Sequence, residues 1–204
     1  MTVSAVALAG GCAENNPLSV ESTAPYGAPR FDEIRNEHYK PAFEQAVREA
    51  REEVDAIVAN PEAPTFANTI EALEFSGKRL DGISNIFFNL NEAHTNDTMQ
   101  SLALELSPML TAFGNDISLN PQLFERVKAV YDRRDSLGLN TEQARLLEKT
   151  YKSFARNGAA LSEEDKQTYR ELTEKLSELS LKFNQNSLAA TNAFTLHITD
   201  SSKV

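Results

Sequence analysis

Asn60-Pro-Glu-Ala-Pro-Thr-Phe-Ala-Asn-Thr-Ile-Glu-Ala-Leu-Glu74 decides how this chain folds, because it stops one helical pattern and starts another. A residue that precedes proline is pushed out of helical geometry, so Asn60-Pro61 ends the helix upstream. In that helix Phe43, Val47, Ala50, Val54 and Ile57 recur at spacings of four, three, four and three, which puts them on one face. Pro41 then belongs in its first turn, where a missing N–H costs nothing. Downstream, Asn68 and Glu71 stand at capping-box spacing, which predicts a second helix starting at Asn68.

Helical punctuation continues outward from this connector. Ile70, Leu73, Gly77, Leu80 and Phe87 extend one face to about Glu92, with Phe87-Phe88 as core. Gly77 and Gly82 each weaken that helix by ~1 kcal/mol relative to Ala, which points to close approach by a neighbouring helix. A third helix runs from about Asn96 to Ser118, with Pro108 removing one hydrogen bond inside it. Asn120-Pro121, a cap followed by proline at the first helical position, opens a fourth carrying Phe124, Val127 and Val130 or Tyr131, and Gly138 closes it. Asn140 and Gln143 cap a fifth, whose Leu147, Tyr151 and Phe154 face one way before Gly158.

Ser162 and Asp165 open the longest helix, about Ser162 to Thr191, ~45 Å at 1.5 Å per residue. Its apolar seam is Tyr169, Leu172, Leu176, Leu179 and Phe183, a three-four spacing that predicts a coiled-coil-like hairpin with the fifth helix. Phe194-Thr-Leu-His-Ile198 alternates apolar and polar residues and reads as a strand. The expected architecture is therefore all-α: a multi-helix bundle of about six helices, the last two a long hairpin, with one short strand near the C-terminus. Residues 1–30 form a signal remnant or flexible arm, since Pro17, Pro25, Gly27 and Pro29 lie among small polar residues. Residues 31–192 form the helical region, and 193–204 hold the strand, whose pairing partner is expected beyond Val204.

Composition removes several function classes. The 204 residues carry a net charge of −10 and an isoelectric point near 4.9, so the surface repels phosphate backbones and nucleic acid is excluded as a partner. An apolar fraction of 41%, with 11 Phe, supplies a packed core. The single Cys12 forms no internal disulfide. It follows the small, uncharged Val3-Ser-Ala-Val-Ala-Leu-Ala-Gly-Gly11, and Leu8-Ala-Gly-Gly-Cys12 resembles a bacterial lipobox in which the cysteine is lipidated. No Lys or Arg precedes the run, and its leucine stands one place further from the cysteine than that motif requires. Two readings therefore stand: a truncated lipoprotein signal, placing the protein in the periplasm or on a membrane through lipid at Cys12, or a bland flexible terminus on a cytoplasmic protein.

Catalytic motifs are missing from the sequence. A zinc peptidase site of the H-E-x-x-H type sets two histidines one helical turn apart with a glutamate between them to activate water. Here His38 is followed by Tyr39, His94 by Thr95 and His197 by Ile198. Neither G-x-x-x-x-G-K nor G-x-G-x-x-G occurs, and there is no G-x-S-x-G elbow. No catalytic, cofactor-binding or metal-ligating residue is assigned. His38 reads as a helix-start residue, His94 as part of a polar turn, and Glu163-Glu164-Asp165 as charge favourable at a helix N-terminus.

Taken together, Asn60–Glu74, Asn36-Glu-His-Tyr-Lys-Pro-Ala-Phe43, Ile86-Phe-Phe-Asn-Leu90, Leu119-Asn-Pro-Gln-Leu-Phe124, Leu146-Leu-Glu-Lys-Thr-Tyr151 and Leu161-Ser-Glu-Glu-Asp165 resemble, in order, the amino-terminal region of bacterial peptidyl-dipeptidases. These dipeptidyl carboxypeptidases are zinc metallopeptidases of the thimet-oligopeptidase family. The resemblance implies an almost wholly helical protein several times longer, with two lobes flanking a channel that admits short peptides and a zinc motif in its later part. This chain would then be one wall of the channel. The parent enzyme would remove carboxy-terminal dipeptides with a zinc-activated water. Zinc and short peptides would bind the full-length parent, this chain would bind no zinc and be inactive alone, and its partner would be the C-terminal catalytic region. The alternative is a stand-alone, lipid-anchored helical protein-interaction module.

Overall fold

A computed structural model describes residues 16–20, 22–197 and 199. Cys12, the lipobox reading and most of the 193–204 segment beyond His197 lie outside them. The helices are α1 (Asn36–Val58), α2 (Ala72–Phe75), α3 (Lys78–Ala93), α4 (Asp97–Ser118), α5 (Pro121–Tyr131), α6 (Thr141–Arg156) and α7 (Glu163–Ala193). The all-α expectation holds for these elements.

The four-three periodicity of α1 becomes a wall shared by two cores. Its first half buries Tyr39, Ala42, Phe43, Ala46, Val47 and Ala50 against Leu80, Ile83 and Phe87 of α3 and Met99, Ala103, Leu106 and Phe113 of α4. Phe87 is fully buried at the centre, edge-on to Tyr39 at 4.8 Å and to Phe43 at 5.7 Å between ring centroids. The second half buries Val54 and Ile57 in a separate cluster with Ile70, Leu123, Val127 and Val130 of α5, and Leu147 and Phe154 of α6. Tyr131 stacks on Tyr151 at 3.9 Å across that second core. The arm joins the first core at its start: Leu18 is buried there, and the Asn16 amide donates to the His38 carbonyl at 2.8 Å.

Several local expectations need correction. α1 begins at Asn36, so Pro41 lies past the first turn and leaves the Glu37 carbonyl without its intrahelical donor. The helix after the connector is capped by Thr65 rather than Asn68. The Thr65 hydroxyl accepts from the Asn68 N–H at 3.1 Å while Asn68 Oδ1 accepts from the Thr65 N–H at 2.7 Å, and a π-helical turn over Phe66–Glu71 leads into α2. The face then breaks at Gly77, whose φ of +70° is left-handed, so α2 and α3 are separate helices. The Gly77 N–H donates to the Glu53 carboxylate at 2.7 Å, and a Cβ there would stand 3.7 Å from Ala50 Cβ. A Cβ on Gly82 meets nothing within 4 Å and one on Gly77 only ordinary contact, so neither glycine marks the expected close helix approach; Gly77 serves its left-handed turn instead.

Two larger elements also differ. The last two helices are not a hairpin: α7 packs along α4, while α6 packs on α5. No strand occurs among the described residues, which corrects the strand expected at Phe194–Ile198. Residues 194–197 follow α7 as irregular chain with Phe194 and Leu196 exposed, because a strand needs a ladder partner and no described residue supplies one; Ile198 itself is not described.

The shared wall makes Phe87→Ala costly: it should destabilise the fold by about 3–5 kcal/mol, read as a lower urea midpoint by circular dichroism with the slope retained. Gly77→Ala should cost about 1–2 kcal/mol from the left-handed backbone alone, measured in the same titration.

Candidate interaction surface

α7 is fixed at its start by its cap. The Ser162 hydroxyl accepts from the Asp165 N–H at 3.1 Å, and the Lys166 ammonium, itself buried, donates to Glu163 at 2.9 Å. Just before it, Gly158 has φ +90°, a left-handed backbone that favours glycine at the turn from α6.

The face that α7 turns toward α4 is largely polar. Ser177 Oγ lies 2.6 Å from Ser107 Oγ, Thr173 Oγ1 accepts from the buried Asn115 amide at 2.9 Å, and Gln185 reaches the Gln100 carbonyl at 3.3 Å. Asp116 ties three helices together, accepting from Arg170 at 2.8 Å and from Arg51 of α1 at 2.6 Å. The seam expected to be core lies about 130° further round the helix, at 3.6 residues per turn. Four of its five side chains are in water, with Leu172 65% exposed, Leu176 63%, Leu179 51% and Phe183 72%, while Tyr169 is half-buried. The periodicity was real, but small hydroxyl and amide side chains, which let α7 approach α4 closely and bond to it, took the inward face.

Beside this seam, Lys175 and Lys182 bracket Glu178 on one edge. Hydrogen bonds from Lys182, and then from Lys175 at 3.0 Å, lower the Glu178 pKa to about 2. On the other side of α7 a groove of about 390 Å³ opens between α3, α4 and α7. Phe88, Leu181 and Leu188 give it an apolar lining, with Asn91, Asn184 and Gln185 supplying amides. No pattern in the sequence pointed to it, because its lining comes from three helices brought together only by packing.

The three histidines do not converge on a catalytic arrangement. His38 Nδ1 accepts from the Arg35 N–H at 3.0 Å and so works as a cap, His94 ends α3, and His197 is exposed. Among the described residues no group of three His, Cys, Asp or Glu is placed to hold a metal ion. No described helix is long and apolar enough to cross a membrane.

The connector that opened the sequence reading has a structural role. Arg126 Nη1 donates to the Asn60 carbonyl at 2.9 Å and Nη2 lies 3.5 Å from Asn68 Oδ1, while Arg133 reaches the Pro64 carbonyl. Arg126 lies on α5 and Arg133 in the turn just after it, so the clamp depends on how that turn is placed and had no signal in the sequence.

No family model matches the chain. Among curated proteins it is 45% identical over 185 residues to dipeptidyl carboxypeptidase of Escherichia coli (strain K12), and 46% identical to the Salmonella typhimurium protein of that name. Each match takes in 91% of this chain and 27% of the relative. Oligopeptidase A of Escherichia coli is 26% identical over 93% of the chain and 27% of its own length. The chain thus spans about a quarter of the length of these relatives.

The Lys175–Glu178–Lys182 bracket makes a pH prediction. Because the folded pKa of Glu178 is depressed, its contribution to stability is present above the unfolded value of about 4.3 and is lost as pH falls through about 2. Carbon-detected NMR should show the Glu178 carboxylate titrating near 2 in low salt and moving up toward the ordinary value in 1 M NaCl, where screening weakens exposed pairs.

Proposed function

As the chain belongs to the dipeptidyl carboxypeptidase family, we propose that it is the amino-terminal channel-wall region of a zinc metallopeptidase that removes C-terminal dipeptides from oligopeptides. The observation that carries this reading is the 45–46% identity sustained over 91% of the chain. The zinc ligands and the water-activating carboxylate belong to the part of the parent outside this chain; zinc there would supply a nucleophilic hydroxide. The helices here bound the space a peptide enters. The groove between α3, α4 and α7 offers amides to a peptide main chain and apolar surface to its side chains. On this reading the chain alone has no peptidase activity.

A second reading draws on the uncovered α7 seam: a stand-alone helical module that holds a separate protein on that face.

Grafting this chain in place of the matched segment of the E. coli relative tests the first reading. The chimera is expected to release C-terminal dipeptides from a blocked oligopeptide in a chelator-sensitive manner, whereas the isolated chain releases none. A folded, zinc-loaded chimera without turnover would overturn the proposal, as would chelator-sensitive turnover by the purified chain itself.

A further inference from the structure

The helix α7 is amphipathic the wrong way round for a helix whose main neighbour among the described residues is α4. It directs Thr173, Ser177 and Gln185 to that neighbour and leaves Leu172, Leu176, Leu179 and Phe183 in water. The four large side chains follow one another at spacings of four, three and four, the repeat with which one helix seats knobs on another. A contiguous apolar strip of this kind marks a surface that another element covers.

We propose that the Leu172–Leu176–Leu179–Phe183 seam is the docking surface for the catalytic part of the parent peptidase, packed by a helix of that part lying along α7. This rests on the family reading above. Three observations choose this occupant. The curated relatives are 27% covered, so most of a relative-length chain remains to be packed somewhere on these helices. Beyond the end of α7, Phe194 and Leu196 are also exposed, at 75% and 70%, so the chain that follows α7 carries further apolar side chains without cover among the described residues. A second copy is a poor occupant. Antiparallel pairing on this seam would bring Lys175 of one chain to the edge held by Lys182 of the other, where Glu178 is already bonded to both within its own chain. A net charge of −10 on each copy also opposes self-association.

Leu172, Leu176, Leu179 and Phe183 are the anchors of this interface, and the Lys175–Glu178–Lys182 bracket forms part of its polar rim. The shared core of α1 needs none of them. Substitution of a seam residue therefore leaves the helices of this chain folded while changing what covers α7.

Thiol labelling tests the surface separately from activity. Leu176→Cys, in a Cys12→Ser background, is introduced into the isolated chain and into the chimera with the E. coli relative. The reaction with a maleimide is followed by mass spectrometry of the peptide containing position 176, with Glu52→Cys on α1 as an exposed control. Labelling at position 176 is expected to be at least tenfold slower in the chimera than in the isolated chain, with the control unchanged. Equal rates in the two proteins would overturn the proposed interface, and would leave the family reading standing if that chimera cleaves peptide. Protection at position 176 in a chimera without activity would uphold the interface and count against the channel-wall reading. Protection already present in the isolated chain, rising with protein concentration alongside dimer in sedimentation, would make a second copy the occupant and overturn the proposal.

Discussion

One helix carries the architecture, because α1 must satisfy two hydrophobic clusters with a single face. Phe43 and its neighbours are sealed against α3 and α4, while Val54 and Ile57, about three to four turns on, belong to the cluster of α5 and α6. Neither cluster closes without α1. Burial of each large side chain in these cores contributes roughly 1.5–3 kcal/mol before the entropy of ordering is set against it. The aromatic edge-to-face group of Tyr39, Phe43, Phe87 and Phe88 fixes how α3 sits on that wall, since such rings prefer defined mutual angles.

Around that wall the connections are held by polar contacts. Arg126 and Arg133 take up carbonyls of the proline connector that would otherwise lack donors, and the Thr65–Asn68 reciprocal cap sets the direction in which the chain leaves it. Gly77 lets the chain turn again within a few residues, so what reads as one long helix becomes two. Asp116 then joins α1, α4 and α7 through Arg51 and Arg170. The position of α7, and with it the orientation of its exposed seam and of the adjoining groove, follows from these contacts.

Consistency between the sequence relationship and this surface is physical as well as statistical. A self-contained helical domain buries its strongest apolar stripe, as α1 does. α7 leaves its apolar stripe exposed, and the chain matches about a quarter of its relatives' length.

Helix existence and most helix ends were legible from the residues alone, because caps and periodicities are local. Asn96, Asn120, Asn140 and Ser162 accept from the first-turn N–H groups as their spacing implies, and Pro121 stands at the first position of α5. The family relationship was legible too, in motifs distributed along the chain. Tertiary structure alone decided which helix lies beside which. The three-four seam of α7 announced a helix with an apolar face, yet periodicity states only that a face exists and carries no information about its partner. The small hydroxyls at Thr173 and Ser177, unremarkable in sequence, fit against Ser107 and Asn115 and determined that α7 turns that side inward. The strand failed for the same reason in reverse: alternation at Phe194–His197 describes a strand's faces, but its backbone donors and acceptors need a neighbouring strand that only three-dimensional packing can supply.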